Sequence, residues 1–356
     1  MDSVRINKLR EQFQNYNISG IYITNITNVR YLTGFTGSAG SVLILSEGSY
    51  FFTDGRYTEQ VKDQIKNCQV FITGSSHIKE IESQKLLSSD SKIGFESDHI
   101  SFSSFKILKN SLSGINWVET SNAVELIAAV KDINEIDSLK TAVEITDTVF
   151  DEIIPIIKEG VTENKIAATM SYKFKEHGAD GDSYDPIVAS GWRSALPHAT
   201  PTNKTLEKGD FVVMDFGALY NGYHADMTRT IVIGQATDRH KEIYQIVLDS
   251  QLAGIQKARA GITGAEVDKA CRDIISDAGY GEYFNHSTGH GLGLEVHTHP
   301  RLSSLNKEPL IENYVVTIEP GIYLPKWGGV RIEDDCWIKS DKCIPLNTSS
   351  KNLIEL

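Results

Sequence analysis

Two β-rich runs, 211–218 and 223–233, lie on either side of the dipeptide Asn221-Gly222, and that pattern constrains the fold more than any other in the chain. Asn-Gly is the strongest short signal for a two-residue hairpin turn, because both residues accept the positive φ that such a turn needs. With these two at the tip, Tyr220 faces Tyr223 and Asp215 faces Thr228. Asp226 lies two residues from Thr228 along the same strand, so it points to the same face. Diagonal neighbours in a hairpin have Cβ atoms roughly 7–8 Å apart or slightly less, within reach of one metal between them.

Three further residues of the same chemistry follow in apolar or glycine-rich settings. They are His290 in STGHGLGLEVH, Glu319 in TIEPGIY and Glu333 in GVRIEDD. Each acidic residue taken alone reads as a turn cap or a solvated face; together they do not. Two like charges about 4 Å apart repel by about 4 kcal/mol even at an effective dielectric near 20, so a cluster of this kind stays ionised only around cations. Oxygen ligands with one imidazole favour a hard or borderline ion such as Mn²⁺, with Co²⁺ or Zn²⁺ as alternatives. Glu319 and Glu333 flank a second expected hairpin through Lys326-Trp327-Gly328-Gly329, whose register Pro320 and Gly321 make unreadable. An alternative metal pair, His297 and His299 on one strand face, would leave the four carboxylates unexplained. Gly289, Gly291 and Gly293 lack the strand–turn–helix setting of a nucleotide loop and read instead as room for close backbone approach beside His290.

The 356 residues are enough for one very large domain or two ordinary ones. A net charge of −12 with no basic run argues against a nucleic-acid partner. Cys68, Cys271, Cys336 and Cys343 have neither zinc spacing nor the density of a disulfide framework, and read as reduced structural thiols. The polar N-terminus lacks a signal-peptide core, and no apolar stretch approaches the roughly 18 residues of a membrane span. The expectation is a cytoplasmic protein with no membrane partner.

Alternating patterns in the first part predict a helix over Val4–Tyr16, strands over 21–24, 42–45 and 50–53, and a helix over Arg56–Lys66, hence a small α/β domain at 1–130. Asp54 and Arg56 are expected to form a local ion pair. From residue 131 to 356 the order is helices, then strands, then helices around 239–260 and 266–278, then mostly strand. Ile136, Leu139, Val143 and Ile145 recur at helical spacing, and Thr162 caps a second helix that Gly178 ends. Helices on a curved antiparallel sheet, an α+β class, fit this order.

The stretch from Pro197 to Asp334 resembles the pita-bread metallopeptidases, and within them the aminopeptidase P and prolidase branch. The matching segments are LPHATPTN, LEKGDFVVMDFGALYNGYHADMTRT, STGHGLGLEVH, VTIEPGIY and GVRIEDD, while YLTGFTGSAG and FFTDGRYTEQ resemble the creatinase-type accessory domain of that branch. The resemblance implies a dinuclear-metal exopeptidase that cleaves between an N-terminal residue and proline, an Xaa-Pro aminopeptidase. The alternative is an Xaa-Pro dipeptidase, with a non-peptidase or inactive relative ranked last. It further implies two divalent ions held by Asp215, Asp226, His290, Glu319 and Glu333, with a shared hydroxide as nucleophile and Glu319 as proton acceptor. His198 and His297 would polarise the scissile carbonyl, with His286 and Arg331 as further pocket residues. Proline-containing peptides would be the substrates and a homodimer the assembly. One departure stands out: the family's His-Glu after the ligand histidine is here His297-Thr298, which puts substrate preference and proton handling in doubt.

Overall fold

The strand and helix alternation of the first part builds a six-stranded mixed sheet in the order 69–73, 49–54, 41–45, 20–23, 92–96 and 116–120. The computed structural model describes residues 2–74 and 76–356, and the chain divides into two compact units, Met1–Ala128 and Ala129–Leu356. In the first unit Tyr22, Leu43, Phe52, Ile81, Ile93 and Leu108 pack into one core, where each large apolar side chain contributes about 1.5–3 kcal/mol. Asp54 and Arg56 do form the local pair, through two side-chain hydrogen bonds. The helix expected over Arg56–Lys66 is not formed as such. Asp54 caps a 3₁₀ turn, Gly55–Tyr57, and only Gln60–Gln64 is helical. With Val61 and Ile65 as its only buried apolar anchors, the segment has too little to hold a full helix. The first helix is likewise split, into Asp2–Glu11 and Phe13–Tyr16.

The second unit repeats one plan twice: two helices followed by a long hairpin. Helices Ile133–Ile153 and Glu163–Glu176 precede a hairpin over 211–232, and helices Asp238–Lys257 and Gly264–Asp277 precede another over 315–338. The second helix of each pair starts alike. Gly160-Val161-Thr162 and Gly261-Ile262-Thr263 each place a glycine at φ 85° and a threonine hydroxyl as N-cap.

Each hairpin is broken once in mid-strand, and the break changes which sheet it belongs to. In the first, Asn221 and Gly222 take φ of 50° and 76°, pairing Tyr220 with Tyr223 and Asp215 with Thr228. Its inner part, Phe211–Phe216 with Met227–Val232, joins the strand Ile187–Ser190, while the tip joins Gly181–Asp182. In the second, Val315–Ile318 pairs with Asp334–Ile338 and Gly321–Leu324 with Gly328–Arg331, in two different sheets. One register runs through both parts, so Glu319 and Glu333 lie opposite each other at the break. Their own backbone bonds go elsewhere: Glu319 N–H to the Thr288 carbonyl at 2.8 Å, and Glu333 N–H to the Thr228 carbonyl at 3.1 Å. These bonds open the ladder there; the second stitches this hairpin to the first, and the other ties it to the residue preceding the strand Gly289–Gly291.

Candidate metal centre

The hairpin breaks gather the carboxylates that the sequence scatters. Asp226 falls in the break of the first hairpin, with Asp215 at the end of the facing strand. Glu319 and Glu333 fall in the break of the second. His290 comes from the short strand Gly289–Gly291, which is wedged between two neighbours. A Cβ on Gly289 would lie 1.9 Å from the Thr317 carbonyl oxygen, and one on Gly291 would lie 2.1 Å from that of His299. Glycine on both sides is what lets the His290 backbone enter. All five residues line one cavity of about 250 Å³.

His290 shows what the cavity is built to hold. Its Nδ1 lies 3.1 Å from the Gly291 carbonyl, which can only accept, so the proton sits on Nδ1. Burial, reinforced by His297, lowers the ring's pKa from 6.5 to about 3, so it is neutral and Nε2 carries a lone pair. That lone pair faces Asp226 Oδ2 at 3.6 Å and Glu319 Oε1 at 3.5 Å. A nitrogen lone pair aimed at two carboxylate oxygens is repulsive unless a cation lies between them. The ligand atoms of Asp226, His290 and Glu333 all fall within 4.8 Å of one another. The donor set therefore fits a divalent ion.

The carboxylates carry the same signature. Burial first, then Asp215 and Asp335, push the Asp226 pKa well above the ordinary range. Burial, then Asp226 and Glu319, do the same for Glu333. Glu319 rises from 4.5 to about 7, again through burial, although Arg331 opposes it. Crowded acids in a low-dielectric site hold protons until a cation replaces them.

Around these five stands a layer of orienting groups. Thr228 donates its hydroxyl to Glu333 at 2.6 Å and accepts from Arg331 Nε at 2.9 Å. Thr317 donates to Glu319 at 3.3 Å and accepts from the His290 N–H at 3.1 Å. Asp335, itself pushed up by burial, receives the Asp226 N–H at 3.0 Å. The Tyr184 hydroxyl meets both Asp215 and Asp226. Tyr184, Thr317 and Asp335 escaped the sequence reading because each is one residue without spacing or partner pattern. Arg331 bonds Asp215 Oδ2 at 2.5 Å, so the carboxylate it orients lies on the other hairpin.

Residues 137–340 match metallopeptidase family M24, and residues 5–130 match the creatinase/prolidase N-terminal domain. An Xaa-Pro dipeptidase of Pyrococcus horikoshii is 38% identical over 98% of both chains. Among solved structures, the Xaa-Pro dipeptidase from Bacillus anthracis is 43% identical over 100% of both chains, with a TM-score of 0.97. The X-Pro aminopeptidase from Thermotoga maritima is 38% identical over 97% of this chain and 100% of that one, with a TM-score of 0.89.

The chain belongs to metallopeptidase family M24.

The fold is the family's pita-bread domain preceded by a creatinase-type N-terminal domain, and the protein is a metallopeptidase of the Xaa-Pro dipeptidase and aminopeptidase type. Among the other residues expected in an M24 site, His198 and His297 are exposed and line the same cavity. The His297 ring stands 4.3 Å from that of His290. His286 lies deeper. Burial, then Arg331, lowers its pKa to about 4. Its Nε2 meets the Tyr323 hydroxyl at 2.9 Å, and Arg331 donates to that hydroxyl at 2.8 Å. His299, the alternative ligand, packs against Tyr314 instead and is not among the cavity's lining residues. Thr298, where the family has glutamate, sits opposite Gly291 and bonds the His299 carbonyl at 3.2 Å. No helix among the described residues is long and apolar enough to cross a membrane.

Proposed function

We propose that this chain hydrolyses the bond between an N-terminal residue and proline, with the Xaa-Pro dipeptide as the first substrate to test and longer Xaa-Pro peptides as the second. The observation that carries the reading is the His290 lone pair facing carboxylates from two hairpins in one cleft. Two of the three relatives described above are dipeptidases, which favours the shorter substrate; the Thermotoga aminopeptidase keeps the longer one open to test. Asp215, Asp226, His290, Glu319 and Glu333 would hold two divalent ions, with Mn²⁺ as the first choice for this oxygen-rich set. When bound, such ions supply a Lewis acid and a nucleophile of near-neutral pKa.

The chain's own groups do the rest. Glu319 takes up a proton on its carboxylate, whose Oε1 is held by the Thr317 hydroxyl donor. His198 and His297, at the exposed side of the cleft, donate to the carbonyl oxygen as charge develops on it. Proline offers no N–H, so it must be recognised by shape. Ile187, Pro197 and Val296 give the cleft an apolar wall for the ring.

Purified protein loaded with Mn²⁺ should cleave Xaa-Pro, and chelator should silence it. A side-by-side assay on Xaa-Pro and Xaa-Pro-Xaa settles the preferred length. Turnover that persists in metal-free protein would refute the reading.

A further inference from the structure

Glu163 opens the helix Glu163–Glu176, yet its side chain is fully buried, at 0% exposure. Its carboxylate is turned toward the segment 190–202. One oxygen accepts the Ser190 N–H at 2.8 Å and the Ser190 hydroxyl at 3.0 Å. The other accepts the Thr202 N–H at 3.0 Å and the Thr202 hydroxyl at 2.8 Å. Arg193 Nε lies across both, at 3.2 and 3.1 Å, and the same guanidinium donates to the Thr200 carbonyl at 2.7 Å. A single buried acid thus clamps both ends of a loop and, through Arg193, ties one limb to the other. The crest of that loop is Pro197-His198, and both residues line the catalytic cleft.

The repeated plan of this unit provides an internal control. The related helix starts Thr263-Gly264, with no side chain where Thr162-Glu163 has its carboxylate. A helix of this type forms without it. The acid is present only at the helix start that neighbours the histidine loop.

We propose that Glu163 is a positioning residue that acts through the loop 191–202 to hold His198 against the substrate carbonyl. This rests on the reading of His198 as a carbonyl-polarising group. A carboxylate that accepts from five donors cannot be replaced by an amide without turning one acceptor into a donor, so Glu163→Gln loosens the loop while conserving volume.

The experiment combines kinetics on the Mn²⁺-loaded enzyme with nitrogen-labelled histidine NMR on the diamagnetic Zn²⁺-loaded form. Orienting groups around a site typically govern about 10–100-fold in activity. Glu163→Gln should therefore lower kcat by about that factor, with KM and bound metal changing less than about threefold. In a His198→Ala background the same substitution should add less than about threefold, because residues acting as one unit are non-additive. The His198 resonances should shift or broaden while those of His290 stay in place. Thr202→Val, which removes one donor and keeps the shape, should move both readouts the same way by less, and serves if Glu163→Gln fails to fold. An undiminished loss in the His198→Ala background, or an unmoved His198 resonance, would overturn the inference. If the resonance moves but His198→Ala turns over normally, the clamp stands and the catalytic reading of His198 falls.

Discussion

Glu333 and Asp334 are adjacent, both buried and both acidic, yet they belong to opposite electrostatic worlds. Asp334 faces Arg229 at 2.7 Å and Lys351 at 2.6 Å, and Gln251 adds a hydrogen bond at 3.0 Å. Burial pushes its pKa up, but the two cations outweigh burial and leave it below the ordinary value. Glu333 faces Asp215, Asp226 and Glu319 with Arg331 as the main opposing charge, and its pKa is driven up. The strand alternates its faces, so one side carries a balanced network that holds the fold and the other an unbalanced one that needs a cation. Charge imbalance in a buried cluster is what separates a site from a strut.

The sharpest test of that contrast substitutes one member of each. Glu333→Ala should cut turnover by on the order of 10³-fold or more, since it removes a proposed ligand from the centre. Elemental analysis should show bound metal lost while the unfolding midpoint of the metal-free protein holds or rises. Arg229→Met should act first on stability, with a smaller effect on turnover because its guanidinium also donates to the Thr228 and Glu333 carbonyls. Breaking a buried pair from one side costs about 3–5 kcal/mol, so denaturant unfolding should show a large loss even without metal. Equal stability losses in the two variants would erase the distinction.

The pH dependence of the metal-free protein should also split the two faces. An acid whose folded pKa is raised binds more protons folded than unfolded, so its stabilisation is full below the unfolded value and disappears as pH rises through the folded one. Glu319, moving from 4.5 to about 7, should therefore cost metal-free protein on the order of 3 kcal/mol between about pH 4.5 and 7. Glu319→Gln should flatten that slope, and metal should reverse it. Asp334 runs the other way, its contribution being lost as pH falls. Stability of the metal-free wild type that climbs across that window would break the argument.

A smaller effect is expected from Thr228→Val, which keeps the shape but deprives Glu333 and Arg331 of a shared hydroxyl. Metal affinity by titration calorimetry should weaken about 10–100-fold. Smallest of all is Arg56→Ala in the first unit. The Asp54–Arg56 pair is solvent-exposed, and exposed pairs contribute little, so the melting temperature should not move measurably.

How much of this was legible in the sequence varies with the local physics. The first hairpin was readable to the residue because Asn221-Gly222 fixes its own turn, and with it the pairing of Asp215 and Thr228. The second was not, because Lys326 takes a positive φ of 65° in a longer turn and the ladder opens at Glu319-Pro320. The five ligand-type residues could be named from their settings. Their convergence depends on bonds between the hairpins, such as Glu333 N–H to Thr228, which leave no pattern along the chain. The internal repeat left a faint trace in Gly160-Val161-Thr162 and Gly261-Ile262-Thr263, too short to register alone. Glu163 reads as an ordinary first-turn acid until its burial is seen.

The breaks in the two hairpins bear on what a bound ion would join. Asp215 and Asp226 come from one half of the catalytic unit, His290, Glu319 and Glu333 from the other, so neither half alone offers a complete nest for an ion. A divalent ion seated there would tie together residues from 64 (Asp226 to His290) to 118 (Asp215 to Glu333) positions apart in the chain.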